Sequence, residues 1–135
     1  TIAVTAGEPQ TGTVGTAVGT LPTVRVTLGD TPVAGVPVTF VAGANSGMVT
    51  GGTQTTAADG TARLGGWTLG TVAGPQTVTV SAAGATRTIT VTAAAAAAAN
   101  VVPVTGAAGQ TAQAGAAVAV APGVRVVDAF GNPVA

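Results

Sequence analysis

The chain has 135 residues and no net charge, and its four basic side chains are too few for a surface that binds nucleic acid. It has no cysteine and no histidine, which excludes a disulfide framework, ordinary zinc, copper and iron–sulfur sites, and Ser-His or Cys-His nucleophiles. Its apolar residues, 47% of the total, are mostly alanine and valine, and such a thin core suits a small sandwich of sheets better than a large enzyme with a pocket.

No apolar run reaches membrane-spanning length, because Thr, Gly or Pro interrupts each one. The sequence begins without Met and shows no signal peptide. We therefore expect a mature product or a fragment of a longer protein, with no membrane insertion in this segment.

Alternation of apolar and polar residues predicts a series of short strands over residues 1–92. Half-buried antiparallel strands have this period of two, and no segment shows the 3.6-residue period of a helix. The main predicted strands cover residues 1–6, 22–28, 36–42, 53–57, 61–64, 76–82 and 85–92. A short edge strand within 7–19 and a weak strand at Met48–Thr50 complete the series. Turn signals separate the strands, which is typical of a β-sandwich.

The same alternation assigns inward-facing residues and turns. The predicted core consists of Val24, Val26, Leu28, Val36, Val38, Phe40, Ala62, Leu64, Trp67, Leu69, Val78, Val80, Ile89 and Val91. Asp59-Gly60 predicts a hairpin-type turn, because Gly tolerates positive φ and Asp bonds its own backbone. Gly65-Gly66 interrupts the apolar pattern and indicates a bulge. Pro37 fits the start of a strand or a sheet edge.

Seven consecutive alanines occupy residues 93–99. Alanine is the best helix former, so a short helix is the alternative to an extended chain. Seven residues are too few for a stable isolated helix, and the flanking sequences resemble strands. We therefore predict an extended junction over residues 93–100.

After this junction the sequence begins again. Residues 104–126 match residues 4–26 at a constant offset of 100, including Gln10 with Gln110 and a shared P-x-V-R-V. Beyond Asp128 the offset becomes 101. A period of about 100 residues predicts a string of domains, with a complete repeat at 1–92 and the first strands of a second, incomplete copy at 101–135.

The second copy holds too few strands to bury its own apolar face. Val118, Val120, Val124 and Val126 therefore need a partner. One explanation is that the chain ends within a repeat; the other is that these strands complete a sheet in another copy. Natural sheets guard their edges with lysine and other charges, and this chain has no lysine and only eight charged residues, which favours assembly.

Several stretches resemble the bacterial Ig-like domains of group 1 (Big1), the invasin/intimin type. They are GEPQTGTVGT, GVPVTFVA, DGTARLGGWTLGTVAGPQTVTVSA and DAFGNPVA. The family text D-x-x-G-x-P-V-x-G-V-x-V-x-F appears as GDTPVAGVPVTF, about one residue short, and the second copy has the fuller DAFGNPVA. The family's T-x-x-x-G-x-A and W-x-L-G segments match residues 56–62 and 67–70.

This resemblance implies an all-β fold, an immunoglobulin-like antiparallel β-sandwich in tandem repeat with an incomplete second copy. It also implies surface-exposed repeats that form adhesin stalks or extracellular fibres and filaments. The family supplies no catalytic residues, and receptor binding usually belongs to other domains.

Two kinds of side chain suggest binding sites, each with a plainer alternative. Trp67 suggests a platform for sugar stacking, but a core so poor in large residues favours a packing role. Asp30, Asp59 and Asp128 suggest calcium ligands, but such sites gather several carboxylates, so turn formation is favoured. Glu8 with an aspartate would form an acid–base pair, yet nothing in the sequence places the two together.

The remaining polar residues indicate structural roles. Arg25 and Arg125 recur at one strand position, where stacking or pairing with a neighbour is favoured over ligand binding. The threonine-rich outer faces would accept O-glycans, but β-propensity explains them equally well. Glycine-rich loops lack the strand–helix context of a nucleotide site.

The sequence therefore predicts no catalytic, cofactor-binding or metal-binding residue, no cofactor and no enzymatic activity. It predicts a structural repeat module of an extracellular or cell-surface bacterial protein, acting as an adhesin stalk or a self-assembling fibre. The predicted partners are neighbouring repeats or copies of itself, with strands shared between subunits as one arrangement. Two alternatives stay open: a module that binds glycans or host surfaces, and an accessory domain of a secreted enzyme.

Overall fold

A computed structural model describes all 135 residues, and its regular structure consists of strands alone. Backbone contacts divide the chain into two compact units. Unit 1 is Thr1–Ala94 and unit 2 is Ala95–Ala135. No helix is present that is long and apolar enough to cross a bilayer.

Unit 1 contains strands β1 to β11. They are β1 (Ile2–Ala6), β2 (Gln10–Thr13), β3 (Thr23–Leu28), β4 (Thr31–Pro32), β5 (Pro37–Ala42), β6 (Met48–Thr50), β7 (Thr53–Thr55), β8 (Thr61–Arg63), β9 (Gly66–Thr68), β10 (Gly74–Ala82) and β11 (Ala85–Ala94). The predicted strand at residues 36–42 begins at Pro37, whose missing N–H is tolerated at a strand start.

These strands form two facing sheets and a short ribbon. In the first sheet β3 pairs with β1 on one edge and with β8 and β4 on the other. The second sheet has the order β2-β11-β10-β5-β7, and β6 pairs with β9 in the ribbon. All pairs are antiparallel except β2 with β11, which is parallel. The predicted all-β, immunoglobulin-like β-sandwich is thus confirmed, with one parallel pair that was not expected.

The core follows the alternation of the strands. In β10, for example, Val78 and Val80 are fully buried, and Thr79 between them faces outward. The buried apolar residues of unit 1 are Val14, Val18, Val24, Val26, Val38, Phe40, Ala62, Leu64, Trp67, Leu69, Val78, Val80, Ala82, Ile89, Val91 and Ala93. Two predicted core residues differ: Val36 is only half-buried, and Leu28, the last residue of β3, is 79% exposed.

Two predicted connections are wrong. Asp59-Gly60 does turn the chain, with Gly60 at a φ of +77°, but it joins β7 of the second sheet to β8 of the first. It is therefore a crossing between sheets and not a hairpin. Gly65-Gly66 is not a bulge, because the chain changes partner there from β3 to β6. A Cβ at Gly65 would lie 2.9 Å from the carbonyl O of Thr50, so glycine permits this close approach.

Unit 2 contains an antiparallel pair, β12 (Ala98–Pro103) and β13 (Val124–Asp128). The alanine run contains no helix: its first two residues end β11, and its last two begin β12. The local structure is extended, as predicted for this run.

A glutamine brace occurs in both units at the offset seen in the sequence. In unit 1 the side-chain amide of Gln10 donates to the carbonyl O of Thr20 (2.7 Å) and accepts from its backbone N–H (3.1 Å). In unit 2 Gln110 makes the same two bonds with Val120, both at 2.7 Å. The matched sequences therefore adopt the same local structure here.

The return of the chain after β3 also recurs. The backbone N of Val33 donates to the carbonyl O of Val26, and that of Val134 donates to Val126, both at 3.1 Å. The donors, Val33 and Val134, are 101 residues apart, and the acceptors, Val26 and Val126, are 100 apart. This is the one-residue slip seen in the sequence. The register of β12 differs, however: Val102 faces Arg125, whereas strict correspondence would place residue 103 there.

Gly47 and Gly35 allow a matched test of close packing in unit 1. Both have a positive φ (+77° and +74°). A Cβ at Gly47 would overlap the backbone of β9 and of the residues after it, whereas a Cβ at Gly35 would have no other atom within 4 Å. We expect Gly35→Ala to lower the free energy of unfolding by about 1–2 kcal/mol through backbone strain alone. Gly47→Ala adds steric overlap and should cost roughly 1–3 kcal/mol more.

Urea denaturation followed by the fluorescence of Trp67 measures both variants, since this residue lies in unit 1. Equal losses in the two variants would contradict the packing described for Gly47.

Candidate functional site

Trp67 lies in the core and not on the surface. Its side chain is 2% exposed, and the indole N–H donates to the carbonyl O of Ser46 at 2.7 Å. Pairing of β9 with β6 holds it there. Sugar stacking requires an exposed ring face, so the packing role predicted for Trp67 is confirmed.

The sequence did not predict that two polar side chains, Ser46 and Gln76, are buried beside this core. Ser46 accepts a hydrogen bond from the backbone N of Thr77 at 2.9 Å. The Gln76 amide accepts from the backbone N of Gly70 at 2.7 Å and donates to the carbonyl O of Val72 at 2.9 Å. Both side chains hold loops in place, and no buried side-chain N or O in the chain lacks a partner. The buried polar side chains are therefore satisfied by hydrogen bonds within the chain.

Two of the exposed carboxylates, Asp59 and Glu8, accept hydrogen bonds from backbone N–H groups. Asp59 accepts hydrogen bonds from the hydroxyl of Thr61 (2.7 Å) and from its backbone N–H (3.0 Å), and these bonds lower the pKa of Asp59 below its usual value. Glu8 accepts from the backbone N of Thr90 at 3.3 Å. Asp30 lies exposed in a turn. No group of three or more acidic residues gathers as a metal site would require.

Asp128 is the one fully buried carboxylate. One oxygen accepts from the backbone N–H groups of Phe130 (2.9 Å) and Asn132 (2.8 Å), and the other from the Asn132 side chain (2.8 Å) and the backbone N of Ala96 (2.9 Å). Four donors fill the lone-pair directions of the carboxylate, which leaves none for calcium. Burial acts to raise the pKa of Asp128, but the hydrogen bonds outweigh it and lower the pKa to about 2.

The two repeated arginines differ in their contacts. The Nε of Arg25 donates to the carbonyl O of Asp59 at 3.1 Å and so ties β3 to the turn before β8. This is the structural role predicted for Arg25. Arg125 occupies the matching position on β13, is exposed, and makes no hydrogen bond through its side chain.

The cavities of unit 1 carry little chemistry. A shallow one of about 420 Å³ lies beside Met48 and Val72, and another of about 260 Å³ lies beside Leu28 and Val33. Neither is lined by an aspartate, glutamate or arginine side chain. They lack the converging polar groups that mark most ligand sites.

The exposed apolar surface is concentrated in unit 2. Eight of the twelve large exposed hydrophobic side chains lie there, although unit 2 is less than a third of the chain. They are Val101, Val102, Val104, Val118, Val120, Val124, Val126 and Phe130. Of these, Val101, Val124 and Val126 share one side of the β12–β13 pair, and we call these three the open face. The contrast with unit 1 is direct, since Val24 is fully buried and its counterpart Val124 is 68% exposed. This face is the candidate interaction surface of the chain.

The two ends of unit 1 lie at opposite ends of the sandwich. Thr1 donates to the carbonyl O of Thr27 and lines the same groove as Ala85, the first residue of β11. Ala94, the last residue of β11, accepts from the backbone N of Val14. A strand of ten residues spans about 30 Å, so the chain enters and leaves unit 1 about that far apart.

Comparison with known proteins yields two similar solved structures. One is the C-terminal 282-residue fragment of intimin in complex with the intimin-binding domain of the translocated intimin receptor (23% identity, TM-score 0.47), covering 67% of this chain and 30% of that one. The other is surface layer protein SbsC, domains 4–9 (17% identity, TM-score 0.49), covering 100% and 21%. The chain thus spans less than a third of either. No protein-family model and no curated protein matches it.

Replacement of Trp67 tests its role against that of an exposed neighbour. Trp67→Ala leaves a large cavity and an unpaired carbonyl, and we expect it to cost about 3–5 kcal/mol of unfolding free energy. Met48→Ala, on the paired strand β6 but 66% exposed, should cost less than about 1 kcal/mol. Urea denaturation followed by circular dichroism compares the two, and a fully stable Trp67→Ala variant would refute the core assignment.

The low pKa of Asp128 predicts that the loop at residues 128–132 is sensitive to acid. The folded pKa of about 2 lies below the unfolded value of about 3.9, so the stabilisation from this carboxylate is complete above about pH 4 and is lost as the pH falls through about 2. NMR should show the amide signals of Phe130 and Asn132 shifting over that range. Asp128→Asn should disturb them at neutral pH, because the new amide group faces N–H donors, whereas Asp30→Asn should not. Unchanged signals in Asp128→Asn would contradict the four hydrogen bonds described for this carboxylate.

Proposed function

We propose that the chain is a structural repeat module of a secreted or cell-surface bacterial protein, part of an adhesin stalk or of a self-assembling extracellular fibre. The observation that carries this proposal is the position of the chain ends of unit 1. A domain that is entered at one end and left at the other adds its length to an array, whereas neighbouring termini would fold the array back.

The repeat in the sequence supports the same function. Residues after the alanine run match the start of unit 1 at an offset of 100, and the glutamine brace and the return after β3 recur with them. We infer a tandem array with a repeat at 1–92, a junction at 93–100 and the opening of a second repeat at 101–135. Arrays of this kind gain length by adding units without a new fold.

The chemistry of the side chains supports a non-enzymatic role. The carboxylates of Asp59 and Asp128 hold turns, and Arg25 holds a backbone carbonyl. Such groups stabilise the fold and are not free to act on a substrate. The surface location rests on the resemblance of the motifs to bacterial Ig-like repeats.

No specific observation favours the two alternatives, a module that binds glycans or host surfaces and an accessory domain of a secreted enzyme. A glycan-binding module that stacks a sugar on the tryptophan would need that ring exposed, and Trp67 is buried. An accessory domain of a secreted enzyme predicts the same fold and differs only in what it is joined to.

Small-angle X-ray scattering on arrays of one, two and four copies of residues 1–100 tests the stalk. We expect the maximum dimension to grow linearly by about 35 Å per repeat, since the ten-residue strand β11 spans about 30 Å and the junction adds a few residues. The control replaces residues 95–100, which follow β11, with a Gly/Ser linker of equal length, which should shorten the average dimension. Arrays of native sequence that are no longer than those with the flexible linker would overturn the proposal.

A further inference from the structure

We propose that the outer face of the second sheet of unit 1 pairs with the same face of a second copy of the chain. This contact deepens the proposed function and rests on it in one respect, because it is the means by which two stalks, or the subunits of a fibre, would associate. It belongs to unit 1 alone and is separate from the open face of unit 2.

Hydroxyl side chains cover this outer face. Of its sixteen outward residues, twelve are threonine or serine, and none is charged. Threonine is favoured in any strand, but the lack of charge and the even spacing are properties of the whole face. We call these residues the threonine face: Thr11, Thr13, Pro37, Thr39, Val41, Thr53, Thr55, Pro75, Thr77, Thr79, Ser81, Thr86, Thr88, Thr90, Thr92 and Ala94.

Strand register makes the threonine face even. Three hydroxyl pairs join β10 and β11: Thr77 with Thr90, Thr79 with Thr88, and Ser81 with Thr86. Cross-strand pairs on one face of an antiparallel ladder are all of the same kind, so their spacing is uniform. Side chains recur about every 6.7 Å along a strand and about every 4.8 Å across strands. Short side chains at this spacing form a surface that a second sheet can approach closely.

The central row of the threonine face contains its one large apolar side chain. Val41 lies opposite Thr79, which lies opposite Thr88, so the row crosses β5, β10 and β11. Val41 is 56% exposed, although it lies in the middle of a sheet. An apolar centre surrounded by polar groups is the usual composition of a protein interface.

Charge favours the pairing of two threonine faces. Arg25 and Arg63 are exposed on the outer face of the first sheet, where a second copy would bring like charges together. The carboxylate of Glu8 reaches the second sheet only through the backbone N of Thr90. Each hydroxyl both donates and accepts hydrogen bonds, so the groups of one threonine face can satisfy those of an identical face. A second copy is therefore a complementary occupant.

The area of the face fits a weak dimer. Five strands about 4.8 Å apart, of which the longest spans about 30 Å, cover on the order of 500 Å². Two such faces bury about 1,000 Å² in total, the lower limit for a specific interface and the size of weak, transient contacts. Sheets packed face to face keep their strand directions within about 30°, so the two copies run side by side. Tandem repeats present this weak contact many times, which raises the total affinity.

Sedimentation equilibrium of the full chain measures the association. We expect a monomer at low concentration and an increasing fraction of dimer toward about 1 mM, as a small interface gives. NMR over the same range should show the amide signals of Val41, Thr79 and Thr88 shifting, while those of Ala3 and Arg25 stay unchanged. A chain that remains monomeric, or shifts confined to unit 2, would overturn the proposal.

Charge substitutions in the central row test which face is buried. Thr88→Lys and Thr88→Glu each place like charges against one another, and each should raise the dissociation constant about tenfold or more. An equimolar mixture of the two variants should restore association, because opposite charges then meet. Ala3→Lys, exposed on the outer face of the first sheet, is the matched control and should change the constant less than about twofold. Equal effects of the two lysines, or no rescue in the mixture, would rule out this contact.

Two equally exposed valines test the apolar centre. Val41→Thr keeps the β-propensity of the strand but removes a methyl group from each copy, and it should weaken the dimer about threefold or more. Val72→Thr, at a valine that is 53% exposed but lies outside the threonine face, should leave the dimer unchanged. Equal losses would contradict the central position of Val41. A chain that stays monomeric while its tandem arrays still lengthen by about 35 Å per repeat would refute the dimer and leave the stalk intact.

Discussion

Strand β3 has neighbours on both of its edges and a covered apolar face, and the rest of unit 1 is arranged around that requirement. β1 arrives on one edge, β8 and β4 on the other, and the second sheet covers the valines. The backbone of a strand carries a donor and an acceptor at nearly every residue, so each open edge leaves a row of them unpaired. In unit 2 the matching strand β13 has β12 on one edge and only a bridge to Pro133 on the other, and its Val124 and Val126 are exposed.

The thin core makes buried polar contacts important to unit 1. Valine and alanine fill little volume, and Trp67 and Phe40 are the largest side chains that are fully buried. The hydrogen bonds of the Trp67 indole and the Gln76 amide fix backbone loops around this small core. Both units also use a glutamine to close a loop before the central strand, at Gln10 and Gln110. Polar side chains therefore replace part of the packing that larger residues would provide.

Much of this fold could be predicted from the sequence, since alternation locates strands that are covered on one face. The seven main strands predicted for residues 1–92 are present, and the weak strand predicted at Met48–Thr50 is β6. The partner of each strand is a different matter, because a turn such as Asp59-Gly60 has the same local chemistry whether it joins neighbours or crosses between sheets. The buried position of Gln76 depends on the loop at residues 70–72, which its amide bonds. The hydrogen bonds of Asp128 depend on the loop that follows it and on Ala96, which is 32 residues earlier. The sequence shows that Arg25 recurs as Arg125. Only the structure shows that Arg25 bonds the carbonyl O of Asp59, whereas the side chain of Arg125 makes no hydrogen bond.

The parallel pairing of β2 with β11 has a mechanical consequence. Ala94 lies at the end of β11, and a pull on it acts along the strand, past β2 on one side and β10 on the other. Thr1, at the opposite end, is held through β1 to β3. Tension along the chain would therefore act on these hydrogen bonds in shear, so that the bonds of a strand must break together. A hairpin pulled open from one end would release them one at a time.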